Sequence, residues 1–114
     1  MAPNPDTKTV TTEELNDGLN MGSSLQVVNV LGREFSSLGM IRYSRRIPFS
    51  EFERRFAELD KGRAVVTYCS GEPSRSCRMA ADFLTEKGYK VSAYPGGLTA
   101  WRAAGLPMEV PAAP

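Results

Sequence analysis

The chain has no histidine among its 114 residues. That excludes His-ligated metal sites, Ser-His and Cys-His catalytic pairs, and imidazole acid–base chemistry. Cysteine is nearly absent too: only Cys69 and Cys77 occur. Two cysteines alone make a poor zinc site, so no metal is expected. A domain of this length needs no disulfide to fold. No run approaches the roughly 20 apolar residues of a membrane span. The opening Met1-Ala2-Pro3-Asn4-Pro5-Asp6 lacks the basic and then apolar regions of a secretory leader. A cytoplasmic protein without membrane partners is expected. Charge of one sign is also lacking. Fourteen basic against thirteen acidic residues leave +1, which gives no global attraction for nucleic acid.

What remains is enough for one domain with one core, burying roughly two-thirds of its unfolded surface. Residues 1–8 are polar, hold two prolines and read as a tail. Val10 opens a short edge strand. Thr11 is the expected N-cap of a first helix, with Glu14 three residues on in capping-box position. Leu25 to Leu31 is apolar on both faces, as a strand covered on both sides would be. Gly32 to Gly39 reads as a loop with a helical turn near Phe35. A short strand is expected between Ile41 and Arg46-Ile47. A helix follows from Ser50 with Phe52, Phe56 and Leu59 as its buried stripe.

Ala64 to Tyr68 is the central strand. Ser76 to Lys87 reads as a helix with Met79, Ala80, Phe83 and Leu84 inward and Gly88 beyond its end. Val91 to Tyr94 is the last strand, and Leu98 to Ala104 a short helix with Trp101 in the core. Residues 108–114 read as an Ala/Pro tail. The domain is placed at 9–109, and 110–114 lie outside it. Strands alternating with helices at this spacing predict an α/β fold with a mainly parallel sheet.

The chemistry centres on Cys69. A β-branched strand ends in this cysteine, and Ser70-Gly71-Glu72-Pro73-Ser74-Arg75-Ser76 follows before the next helix. Ligands of parallel sheets bind beyond the carboxyl ends of strands. Unpaired N–H groups and the helix dipole converge on such a loop and form an anion nest. The nest and Arg75 are expected to lower the thiol pKa and make Cys69 a nucleophile. Without that context a buried cysteine would read as a small hydrophobe.

Several segments together resemble the rhodanese family. They are Val65-Val66-Thr67-Tyr68-Cys69, the loop ending Arg75-Ser76, Gly88-Tyr89-Lys90-Val91 and Pro95-Gly96-Gly97-Leu98-Thr99-Ala100-Trp101. The last is similar to the family's G-G-x-x-x-W signature. Leu38-Gly39-Met40-Ile41, Ile47-Pro48 and Thr12-Glu13-Glu14-Leu15 also resemble family segments. The resemblance implies a five-stranded, mainly parallel sheet with helices on both faces. It implies a sulfurtransferase: Cys69 takes sulfane sulfur from a small anionic donor such as thiosulfate and passes it, as a persulfide, to a thiol or protein acceptor. Residues 70–76 cradle that sulfur, no cofactor is required, and a monomer is expected.

Two departures bear on this reading. Asn29-Val30-Leu31 stands where the family commonly has D-V-R. Five residues, not four, separate Cys69 from Arg75. That longer spacing resembles rhodanese-fold phosphatases and arsenate reductases, which form the alternative, with Glu72 the nearest acid for a leaving group. A non-catalytic interaction module is the third reading.

Cys77 is either a resolving thiol for Cys69 or a packed small residue. Arg33, Arg42, Arg45 and Arg46 either steer anions or form a solvated face.

Overall fold

A computed structural model describes residues 7–21, 25–32, 38–71 and 75–109. Thr11 opens α1 (Thr12–Asn20) with both halves of the predicted capping box. Its hydroxyl accepts from the Glu14 N–H, and the Glu14 carboxylate accepts from the Thr11 N–H. The expected turn at Gly22-Ser23-Ser24 lies outside the described residues.

The β-branched runs form β1 (Gln26–Asn29), β4 (Val65–Tyr68) and β5 (Val91–Tyr94), which with β3 (Ser44–Arg46) make one sheet. The order is β3-β1-β4-β5 and every pairing is parallel. The sheet has four strands among the described residues rather than five, and the Thr9 segment adds a single parallel bridge to Ala93 of β5. The Val10 N–H donates to the Ala93 carbonyl at 2.9 Å, and the Ala93 N–H to the Lys8 carbonyl at 2.8 Å.

The middle of the chain differs from its sequence reading. Two short strands stand where one was expected. β2 (Met40–Ile41) leaves the main sheet and pairs antiparallel with β6 (Met108–Glu109). Met108 and Glu109 are thus structured rather than part of a tail. Strands of two residues carry no readable periodicity, so only the fully buried Ile41 hinted at this pairing. Between β2 and β3 the chain turns at Arg42 and Tyr43. Tyr43 takes φ 65°, in the left-handed region, with its ring exposed. The helical turn expected near Phe35 lies outside the described residues.

α2 (Phe52–Arg55) is a single turn between two 3-10 turns, Phe49–Glu51 and Phe56–Glu58. Phe52 and Leu59 are buried, and Phe56 packs edge-on against Phe83 at 5.4 Å. α3 (Ser76–Glu86) buries Cys77, Ala80, Ala81 and Leu84, while Met79 is only half-buried. Gly88 follows at φ 91°, as a helix stop requires. α4 is Gly97–Ala103.

The sheet is covered on both sides. Val28, Val65 and Cys69 pack with Phe52 of α2 and the inner face of α3. Val27, Val66, Tyr68 and Tyr94 pack with Leu15 of α1 and with Leu98 and Trp101 of α4. Among the described residues no helix is long and apolar enough to cross a membrane.

Tyr68 anchors β2 to β4. Its hydroxyl accepts from the Ile41 N–H at 3.0 Å and bonds the Ser44 hydroxyl at 2.8 Å. Burial raises the Tyr68 phenol above its usual value, although both bonds oppose the shift. The neutral phenol therefore stabilises the fold fully below the unfolded phenol pKa of about 10, and that stability is lost as pH rises through the folded value. Tyr68→Phe leaves the Ile41 N–H without this partner and is expected to cost about 1–3 kcal/mol at neutral pH. Urea unfolding at neutral and strongly alkaline pH checks both points. The variant should lose less stability between the two than wild type, with Tyr94, also raised by burial, supplying the remainder.

Candidate functional site

Strand order reverses between β1 and β4: from β1 the chain goes to β3 on one side, then returns to β4 on the other. The crevice beyond the carboxyl ends at such a reversal is where open α/β sheets bind ligands. Cys69 follows β4 at that point. Alternation along the strand places Val65 and Cys69 on the α2/α3 side, and Val66 and Tyr68 on the α1/α4 side. Cys69 and Cys77 are both fully buried, and neither is in a disulfide.

The first turn of α3 is tied directly to β4. The Thr67 hydroxyl donates to the Cys77 carbonyl at 2.7 Å. Cys77 and Cys69 are buried in the same core cluster. Hydrogen bonding with Cys69, then burial, then the charge of Cys69 push the Cys77 thiol far above its ordinary value; Arg78 opposes them. Arg75 holds the N-cap position of α3, but its side chain makes no capping bond. Its carbonyl accepts from the Met79 N–H at 3.0 Å. The earlier N–H groups of α3 open towards the end of β4.

The turn Pro95-Gly96-Gly97 supplies the opposite wall. The Leu98 N–H donates to the Cys69 carbonyl at 3.0 Å, and the Thr99 N–H to the Ser70 carbonyl at 2.9 Å. The Thr99 hydroxyl also reaches the Ser70 carbonyl, at 2.8 Å. In a trans peptide the carbonyl and the following N–H point in opposite directions. With both carbonyls turned to α4, the N–H groups of Ser70 and Gly71 face away from it.

Gly97 permits this approach. It takes φ 59°, and a Cβ there would lie 2.4 Å from the Cys69 carbonyl oxygen and 2.6 Å from the Gly71 nitrogen. Gly71 is itself buried, at φ 143° and tight against the Gly96 carbonyl.

Of the loop residues singled out from sequence, Ser70, Gly71, Arg75 and Ser76 are described, and the structure brings Ser70 and Gly71 against Gly96 and Thr99. Ser70 and Ser76 are half-buried and Arg75 is exposed. Glu72, Pro73 and Ser74 lie outside the described residues, as does Arg33. The other arginines have local partners. Arg45 pairs with Glu58 at 2.8 Å, Arg46 donates to the Gly32 carbonyl at 3.1 Å, and Arg42 bonds Asn20 and lies over the Tyr43 ring. Asn29 performs locally what an acid at its position could: its side-chain oxygen accepts from the Leu31 N–H at 2.8 Å. Thr67 and Thr99 escaped sequence reasoning, because a threonine before a cysteine or after a Gly-Gly pair has no chemistry of its own to announce it. Among the described residues, no group of three or more Cys, Asp or Glu side chains is placed to hold a metal. A cleft of about 840 Å³ opens among Lys8, Ala64, Val91 and Lys90, at the amino ends of β4 and β5, and includes no residue of the Cys69 loop.

With this geometry in place, the chain was compared with known proteins. The model of the rhodanese-like domain family matches residues 11–104. A protein of Allochromatium vinosum named a sulfurtransferase is 30% identical over 103 residues, covering 90% of this chain and 94% of that one. An HTH-type transcriptional regulator of Mycobacterium tuberculosis is 35% identical over 86 residues; the match spans 73% of this chain but only 37% of the regulator. The crystal structure of a rhodanese-related protein from Thermoplasma volcanium superposes with a TM-score of 0.81 at 20% identity, covering 91% of this chain and 99% of that one.

The Gly-Gly wall makes a testable contrast. Gly97→Ala forces a Cβ into the Cys69 carbonyl, whereas Gly105→Ala, at φ 70°, meets nothing within 4 Å. Gly105→Ala should cost about 1–2 kcal/mol, the strain of the left-handed conformation alone. Gly97→Ala should cost clearly more and change the alkylation rate of Cys69, which Gly105→Ala should leave as it is. Urea unfolding and mass-resolved alkylation measure the two effects.

Proposed function

The chain belongs to the rhodanese-like domain family, and on that premise we propose that it transfers sulfane sulfur through Cys69. The observation that carries the reading is the placement of the Cys69 sulfur. Cys69 follows β4 at the strand-order reversal, where the first turn of α3 is tied to β4 and the turn before α4 takes the carbonyls of Cys69 and Ser70. Backbone N–H groups left over in such a strand-to-helix loop favour a thiolate over a thiol. The similar sulfurtransferase, matched over 94% of its length, supports the same chemistry.

In the proposed cycle the Cys69 thiolate attacks the outer sulfur of a donor such as thiosulfate. The donor's S–S bond breaks, and sulfite departs with the bonding electrons. Cys69 is left as a persulfide anion. Its outer sulfur is held by backbone N–H donors that include those of Ser70 and Gly71, and Arg75 offsets the charge of incoming anions. A thiophilic acceptor then attacks the outer sulfur. Cyanide, for example, leaves as thiocyanate and regenerates the thiolate. Neither step requires a proton, a metal or an organic cofactor.

The five-residue spacing between Cys69 and Arg75 keeps oxyanion chemistry as the competing reading. Side-by-side kinetics separate the two. Thiosulfate:cyanide turnover should clearly exceed activity on an aryl phosphate or on arsenate, and Cys69→Ser should abolish it while retaining the native circular dichroism spectrum. Phosphatase or arsenate reductase turnover without thiosulfate activity would reverse the assignment. Silence on all three substrates would point to a binding module.

A further inference from the structure

Cys77 makes or breaks no bond in the cycle just described, yet it shares the buried cluster of Cys69. It sits at the second position of α3, and its carbonyl is fixed to β4 by Thr67 at 2.7 Å. Cys69 and Cys77 are both fully buried. An acceptor from solvent must reach a sulfur that is covered. Cys77 is already there.

We propose that Cys77 resolves the Cys69 persulfide, releasing sulfide and leaving a Cys69–Cys77 disulfide; this rests on the sulfur-transfer reading above. The Cys77 sulfur attacks the inner sulfur of the persulfide, Cys69 Sγ. The new bond is Sγ–Sγ, and the bond that breaks joins Cys69 Sγ to the outer sulfur. The outer sulfur leaves with that electron pair and takes the Cys77 proton as hydrosulfide. The two cysteines are together oxidised by two electrons, and the sulfane sulfur is reduced to sulfide by the same two. No outside oxidant enters. A dithiol reductant then returns both cysteines to thiols and completes a thiosulfate-to-sulfite-and-sulfide cycle.

The protonation of Cys77 suits this order of events. Two of the three influences that hold its proton come from Cys69 itself, the hydrogen bond and the charge. Once Cys69 carries the extra sulfur, the negative charge resides on the outer atom, farther from Cys77. The hold on the proton weakens only after the persulfide has formed. The resting enzyme therefore keeps Cys77 as a donor to the Cys69 thiolate, and the loaded enzyme makes it a nucleophile.

A single-turnover experiment tests the inference. Reduced, desalted protein receives an equivalent of thiosulfate with no added thiol, and sulfide and intact mass are followed together. Wild type should release nearly an equivalent of sulfide and end two hydrogen atoms lighter. Cys77→Ser and Cys77→Ala should each keep one added sulfur atom and release at least tenfold less sulfide; the two variants guard against a folding defect in either. Wild type that retains the added sulfur, or variants that release sulfide as wild type does, would overturn the role of Cys77 while leaving sulfur transfer intact. No sulfur uptake by wild type or by either variant, with sulfide absent throughout, would refute sulfur transfer itself and the inference with it.

Discussion

The close approach of Gly97 to the Cys69 carbonyl is the constraint on which the rest of the site depends. A Cβ at Gly97 would stand 2.4 Å from that oxygen, so only glycine lets α4 dock here. The docking is made by hydrogen bonds, not by apolar contact alone. Leu98 and Thr99 take the carbonyls of Cys69 and Ser70. With those carbonyls turned to α4, the N–H groups that follow them face the other way. The two sides of a trans peptide have opposite polarity, so one set of contacts both anchors the turn and makes the far side electropositive.

The second constraint is the pleat of β4. Tyr68 and Cys69 are neighbours in sequence but belong to different cores. Tyr68 sends its hydroxyl across to the β2–β3 segment, which also holds β6 to the body of the fold. Cys69 faces α3. A one-residue slip of β4 would exchange them, placing a phenol against α3 and a thiol against Ile41. Register is held on both flanks, Val66 against Val27 and against Ser92. Thr67 adds a lock that acts only in the correct register, because its hydroxyl reaches the Cys77 carbonyl on the same face as Cys69. Position of Cys69 and register of the central strand are thus one specification.

Much of this was legible from residues, and the failures have physical causes. The β-branched runs declared β1, β4 and β5, because strands buried on both faces need unbroken apolar sequence. The capping box at Thr11 and Glu14 and the glycine after α3 worked because local chemistry determines helix ends. Cys69 could be placed at a strand end for the same local reasons. β2, β6 and the broken helix around Phe52 were not readable. Elements of two to four residues hold no period, and tertiary contacts alone create them. The Gly96-Gly97 pair was visible as a sequence signature, but its purpose was not. Nothing in a glycine tells which backbone will approach it. Cys77 was left between a packed residue and a resolving thiol, and its burial alone is compatible with both. Its place in one cluster with Cys69 is what sequence could not supply, since it depends on the meeting of β4 and α3.

The absence of histidine gains its meaning from this geometry. An imidazole base activates a nucleophile by removing its proton at the moment of attack, and then returns that proton to the leaving group. On the proposed reading Cys69 relies instead on backbone donors, which stabilise a standing charge but shuttle no proton. Such a site suits a reaction in which an anion attacks and an anion leaves. Sulfane transfer from thiosulfate has that form, since sulfite is a stable anion at neutral pH. Hydrolysis of a phosphate ester does not, because an alkoxide leaving group demands an acid. Arg75 does not alter this balance: a guanidinium offsets charge but does not titrate in the working range. Among the described residues the Cys77 thiol is packed in the same cluster as Cys69, and in the proposed resolution its proton leaves with sulfide as the persulfide bond breaks.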